Sequence, residues 1–164
     1  MWGNPSGGNF AHAARLFDGG ALDEGQSFVI DLAAAYRNGN KGISLFDASI
    51  NELFYFNVGS DAYDVNGVIQ GWPYAQTSVF HIVASQIGAS SLQVVVSRFP
   101  GESVTQTVSG ALAGFHAYIG DTDTGSDLNN LFFNNMAVVP EPTMLGLLGL
   151  GSAVVLVAIR KRRV

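Results

Sequence analysis

Apolar and polar positions alternate with a period of two through much of residues 1–139, the spacing of half-buried strands. In SFVIDLAAAYR, residues 27–37, Phe28, Ile30, Leu32, Ala34 and Tyr36 share one face of an extended chain, and Val29, Asp31 and Arg37 take the other. Comparable runs follow: GISLF at 42–46, ELFYFNV at 52–58, SVFHIVAS at 78–85, SSLQVVVSRF at 90–99, SVTQTVS at 103–109, GFHAYIG at 114–120 and NLFFNNMAV at 130–138. Turn-forming clusters separate them, among them RNGNKG, NVGSD, VNGVIQG, FPGE and DTDTGSD. About eight strands at this spacing predict an all-β fold, an antiparallel β-sandwich. FYF at 54–56 and VVV at 94–96 are apolar on both faces, as expected of strands packed between a second sheet and covering loops. No amphipathic helix is predicted before residue 143.

The pattern changes abruptly at the end of the chain. From Thr143 to Ile159, TMLGLLGLGSAVVLVAI holds seventeen residues without a charge. As a helix it would span roughly 25 Å, the short limit for a bilayer core. Pro142 precedes it, where a missing N–H costs nothing at a helix start. Arg160, Lys161, Arg162 and Arg163 follow at once, and by the positive-inside rule they act as a stop-transfer signal that stays cytoplasmic. The segment reads as a transmembrane helix over 143–159, with the preceding body on the far side of the membrane.

Composition supports this division into a body and a tail. Charged residues make up 13% of the 164, against about 25% in typical domains, and there are 20 glycines, a mix suited to strands and turns. Residues 1–139 carry four basic and twelve acidic side chains, a formal charge of −8, whereas 140–164 carry +3. An acidic body would repel nucleic acid, so no nucleic-acid partner is expected. The chain has no cysteine, which excludes disulfides, thiolate nucleophiles and thiolate metal sites.

Val139-Pro140-Glu141-Pro142, the glycine-interrupted apolar run and the terminal basic cluster together resemble the PEP-CTERM sorting signal of Gram-negative bacteria. The resemblance covers about the last twenty-six residues, with all three parts in order. It implies export, a transient stay in the inner membrane, recognition of Pro140, Glu141 and Pro142 by a membrane-embedded exosortase, and removal of the tail to leave the body at the cell surface or outside. The local chemistry suits a recognition peptide, because the two prolines hold Glu141 in a stiff, extended segment with its carboxylate presented. The beginning of the sequence, MWGNPSGGNFAHAARLFDGG, departs from that pattern: it has no basic region followed by an apolar stretch of 7–15 residues. The expectation is that the export start lies upstream. The domain reading is therefore a body over 1–139 and a sorting signal over 140–164. The order and lengths of the strands also resemble jelly-roll, laminin G or legume-lectin sandwiches, a lectin-like architecture common among exported bacterial proteins.

Catalytic patterns are sparse. A retaining glycosidase needs two carboxyls about 5 Å apart, yet Glu24, Glu52, Glu102 and Glu141 do not fall in the E-x-D-x-x-E arrangement that builds such a pair. Neither a G-x-S-x-G elbow nor an H-E-x-x-H helix is present. His12, His81 and His116 are scattered singly and read as ordinary hydrogen-bonded histidines. No enzymatic activity is expected.

Two stretches carry binding chemistry. Trp72-Pro73-Tyr74 lies in a glycine-flanked loop; its rings could stack on the faces of a polysaccharide, or Trp72 could plug the end of the core. In DTDTGSD, Asp121, Asp123 and Asp127 share one loop, and converging oxygens suit Ca²⁺. That loop matches the calcium pattern only in part, with Gly125 at a ligand position and Phe132 in place of the closing glutamate, and the same residues serve a solvated turn equally well. No other cofactor is expected. The sequence therefore describes an exported, non-enzymatic protein of the cell envelope or extracellular matrix, with a carbohydrate-binding module as the alternative.

Overall fold

The computed structural model describes residues 1, 9–76, 78–99, 101–122 and 127–140. Among them eleven strands form two antiparallel sheets. In chain order the strands are β1 (Phe10–Leu16), β2 (Gln26–Ala34), β3 (Asn40–Phe46), β4 (Glu52–Asn57), β5 (Tyr63–Val65), β6 (Val68–Gln70), β7 (Phe80–Gly88), β8 (Ser91–Arg98), β9 (Glu102–Ser109), β10 (Gly114–Gly120) and β11 (Leu131–Pro140). One sheet has six strands in the order β1-β10-β3-β4-β5-β6, the other five in the order β11-β2-β7-β8-β9. The predicted antiparallel sandwich is what the chain forms.

The alternation read from the sequence decides which side chains face inward. Phe28, Ile30 and Leu32 of β2, Ile82 and Ala84 of β7, and Leu92, Val94 and Val96 of β8 meet Ile43 and Leu45 of β3, Phe54 and Phe56 of β4, and Phe115, Ala117 and Ile119 of β10 in a single core. A fully buried Leu, Ile or Phe contributes about 1.5–3 kcal/mol relative to an exposed one, so this interior holds the two sheets together. Aromatic contacts run across it: Phe28 stacks on Phe115 with centroids 5.2 Å apart, and Phe56 meets Phe80 edge-on at 4.9 Å.

Three buried polar side chains close the ends of the sandwich. Lys41 is fully buried, and its ammonium donates to the carbonyls of Tyr36 and Leu128, each at 2.8 Å, and to the side-chain oxygen of Asn38. Gln86 donates to the carbonyls of Gly88, Ser91 and Gly110 and accepts from the N–H of Leu112. Arg98 makes a bidentate pair with Glu102, at 2.6 and 3.4 Å, and donates to the Pro73 carbonyl at 2.8 Å. Among the described residues no buried side-chain nitrogen or oxygen lacks a partner, the condition under which such groups stabilise rather than cost.

Three strands lie where the sequence pattern predicts none. β1, FAHAARL, is exposed along almost its whole length and owes its conformation to seven register pairs with β10. The VNGVIQG turn cluster is itself part of a hairpin, in which β5 and β6 flank Asn66 and Gly67 at φ 51° and 83°. Two consecutive left-handed residues make the type I′ turn that matches strand twist, for which Asn-Gly is the preferred pair. β2, by contrast, stops at Ala34, and Tyr36 leaves its expected inward face to become partly exposed. The turn that follows requires Gly39 at φ 62°, where a Cβ would come within 2.4 Å of the Gly120 carbonyl oxygen.

β11 extends past its predicted end through Pro140, which pairs with Gln26. As the edge strand of its sheet it tolerates a proline that cannot donate to a further neighbour. The predicted transmembrane helix over 143–159 lies outside the described residues. Among the described residues no helix is long and apolar enough to cross a membrane.

Candidate functional site: the outer side of the six-stranded sheet

The register of β1, β10, β3 and β4 assembles one group of side chains with binding chemistry. His12 of β1 pairs with Tyr118, and Ala14 with His116, so the two histidines are diagonal neighbours across β1 and β10. His12 Nδ1 and His116 Nε2 lie 3.0 Å apart, with ring centroids at 4.9 Å. His116 is also opposite Ser44 of β3, whose hydroxyl donates to Glu52 Oε2 at 2.6 Å. A register shift brings Glu52 into this group: Leu45 pairs with Phe54 but Phe46 with Glu52, leaving Leu53 as the extra residue of a bulge. Bulges re-aim side chains in this way.

Aromatic rings continue the surface. Phe10 stacks on His12 at 5.7 Å and meets Tyr118 at 6.4 Å, and Tyr118 lies 5.5 Å from His116. Tyr118 crosses its register partner Gly42, where a Cβ would fall 2.6 Å from the phenol oxygen. The same Cβ would fall 2.1 Å from the Phe56 carbonyl oxygen, so the glycine is a steric requirement of the β3–β4 backbone as well as of the Tyr118 ring. The Tyr118 hydroxyl donates to Asn57 Oδ1 at 3.3 Å, and that of Tyr55 to Asp64 Oδ2 at 3.0 Å. Beside the histidine pair, His12, Ala14, Leu16, Ser44, Glu52 and His116 line a hollow of about 540 Å³.

Electrostatics follow from the packing. Burial, and secondarily the neighbouring His12, hold His116 below the ordinary imidazole range, while Glu52 opposes them. Burial raises the Tyr55 phenol, and its bond to Asp64 adds to the rise. The arrangement therefore favours the neutral forms of His116 and Tyr55, set among ring faces and beside the carboxylates of Glu52 and Asp64. Hydroxyl-rich ligands with one apolar face fit such a surface.

The residues singled out in the sequence lie elsewhere. Trp72 is partly buried and packs against the core, stacked on Phe80 at 6.3 Å and lying 5.9 Å from the Arg98 guanidinium. Tyr74 is 38% exposed, with the Arg37 guanidinium 4.8 Å above its ring. The two line one shallow cavity of about 220 Å³ together with Arg37, Asp61 and Gln70. Asp121 is exposed at φ 50° after β10. Asp123 lies outside the described residues, and Asp127 opens a 3₁₀ turn over Asp127–Asn129. Pro140 ends β11, while Glu141, Pro142, Arg160, Lys161, Arg162 and Arg163 lie outside the described residues.

His12, Ser44, Glu52 and His116 went unnoticed in the sequence as a group. The two histidines are 104 positions apart, and only the pairing of β1 with β10 makes them neighbours. One local signal existed: His116 and Tyr118 share strand parity in GFHAYIG.

The fold and this surface define an antiparallel two-sheet sandwich with a polar and aromatic outer face. The chain also carries a PEP-CTERM protein-sorting motif, whose family model matches residues 138–163. Among solved structures, the chain is similar to galectin-Ib of Xenopus laevis, with 12% identity over 76% of this chain and 100% of that one, at a TM-score of 0.44. A tetrameric galectin from the ball sponge Cinachyrella sp. gives 11% identity over 80% and 99%, at 0.47. SCP-B, a peptidase of the Eqolisin family, gives 13% over 81% and 74%, at 0.44. These likenesses concern the sandwich alone and assign no activity. No curated protein matches the sequence.

Proposed function

We propose that this protein is an exported, non-enzymatic component of the cell surface or extracellular matrix. In this reading an exosortase takes it from the inner membrane by recognising Pro140-Glu141-Pro142 and releases it from its tail. The observation that carries the reading is the sorting motif over 138–163. The geometry next to it supports the same role. β11 holds the chain extended as far as Pro140, so Glu141 and Pro142 follow directly from an edge strand. In a host with an exosortase, E141A/P142A should accumulate as a larger, membrane-bound form. That variant spares Pro140, so a fault in β11 is not mistaken for lost recognition. Unchanged processing would remove the proposal.

A second reading concerns what the sandwich does after export. The outer side of the six-stranded sheet favours binding of a polysaccharide, because His12, His116, Tyr118, Asn57, Tyr55 and Asp64 combine ring faces with hydrogen-bonding groups on one surface. The loop bearing Trp72 and Tyr74 is the competing location. A glycan array probed with the full chain, H12A and Y74A separates the two, since His12 is exposed on β1 and its truncation spares the core. Loss in H12A with retention in Y74A supports the sheet; the reverse supports the loop. No binding by the unaltered chain ends the glycan reading.

A further inference from the structure

We propose that His12 and His116, joined by Glu52, form a binding site for a divalent transition cation of the Zn²⁺ class. The proposal stands apart from the glycan reading and is tested without any sugar. Its first support is a distance. Two ligands at the 2.0–2.1 Å of a Zn–N bond in tetrahedral geometry are about 3.3 Å apart, and His12 Nδ1 and His116 Nε2 are separated by 3.0 Å on adjacent strands. To share a cation the two rings turn their facing nitrogens from each other to a common point, while the nitrogen separation itself widens only slightly.

The second support is the shared hydrogen bond, in which one ring nitrogen accepts and so already offers a lone pair between the two rings. One of the two facing nitrogens now carries the proton of their shared hydrogen bond. On binding, that proton moves to the other nitrogen of the same ring, so both rings remain neutral and no net proton is released.

The third support is the carboxylate. Glu52, Ser44, His12 and His116 line one hollow, which Arg15 also borders, and Ser44, the cross-strand partner of His116, holds the Glu52 carboxylate beside the pair. Among the described residues no three ligating side chains already converge on one point. Glu52 therefore has to leave the Ser44 hydroxyl, now 2.6 Å away, and turn toward the pair. Two imidazoles and one carboxylate form a donor set that zinc accepts, with the fourth position open to solvent. The hollow leaves room for it.

The test uses the full, untagged chain in detergent, titrated with Zn²⁺ by calorimetry and with Co²⁺ by visible absorption. One equivalent of Zn²⁺ and a tetrahedral Co²⁺ band are expected. H12Q and H116Q should each weaken binding by more than about 100-fold, beyond the 10–100-fold typical of outer-sphere losses, and E52Q by at least about 10-fold. H81Q, on the other sheet, should bind as the unaltered chain does, and far-ultraviolet circular dichroism confirms that each variant is folded. Absence of stoichiometric binding overturns the proposal. So does undiminished binding in H12Q, H116Q or E52Q, or loss in H81Q equal to theirs.

Discussion

On the outer side of the five-stranded sheet, Asp31, His81, Ser97 and Ser103 cross four strands in register, flanked by the row Val29, Val83, Val95 and Thr105. On the six-stranded sheet the corresponding side bears Phe10, His12, His116, Tyr118 and Tyr55, with Gly42 beneath the Tyr118 ring. Both sheets bury their inward residues in the same core, yet their outer surfaces differ in kind. Short and β-branched side chains leave one surface with little relief, and its His81 is fully engaged with Asp31 at 2.6 Å, a carboxylate that also accepts from Asn135. Long rings give the other surface its relief, and a hollow lined by Ala14, Leu16, Ser44 and Glu52 with the two histidines opens beside them. The inward pattern makes the fold, and the outward cross-strand rows make the difference between a scaffold and a binding surface.

The largest expected effect separates the two sides of a single strand. Phe56 of β4 is completely buried against Phe80, while Tyr55 next to it is turned outward to Asp64. Phe56→Ala should cost about 3–5 kcal/mol in denaturant unfolding, the range for truncating a buried aromatic. Ile82→Ala in the facing sheet should fall in the neighbouring range of about 2–5 kcal/mol, since both sheets share one interior. Tyr55→Phe removes one hydrogen bond at the surface and should cost only about 1 kcal/mol. If Tyr55→Phe cost as much as Phe56→Ala, the outer surface would be part of the folding core and the contrast between scaffold and site would collapse.

How much of this was legible depends on how local each feature is. Phe28, Ile30 and Leu32 were readable because inward facing follows from alternation within one strand. β1 was not, since FAHAARL has no β-branched residue, three alanines and no clear alternation, and becomes a strand only against β10. The hairpin at Asn66-Gly67 carried a strong local signal, but its strands have three residues each, too short for a periodic pattern. Lys41 read as part of a turn and is instead buried, because its acceptors at Tyr36, Asn38 and Leu128 come from two separate loops. The histidine pair failed to appear for the same reason. Sorting residues are the opposite case, legible because Pro140-Glu141-Pro142 and the basic cluster are contiguous and need no partner strand.

The two outer surfaces should also part company in acid, in smaller steps. Unfolding releases His116 to an ordinary imidazole, so as pH falls through about 6.5 the unfolded chain takes up a proton that the native ring resists. The stability linked to His116 is complete above that pH, declines on acidification, and levels off once the native ring is protonated too. On the five-stranded sheet, the hydrogen bond from His81 holds Asp31 below the usual carboxylate range, and Asn135 assists. Its contribution is complete above about pH 3.9 and disappears only as the pH falls through the lower native value. Denaturant midpoints between pH 7.5 and 3 should therefore show two windows. His116→Gln should flatten the upper one and leave the lower, whereas Asp31→Asn should shrink the lower one, to which the depressed carboxyls of Asp47 and Glu102 also contribute. An upper window that survives His116→Gln would move the neutral-pH response off His116, and with it one physical reason for treating the histidine pair as distinct from the hydrogen-bonded His81–Asp31 pair on the other surface.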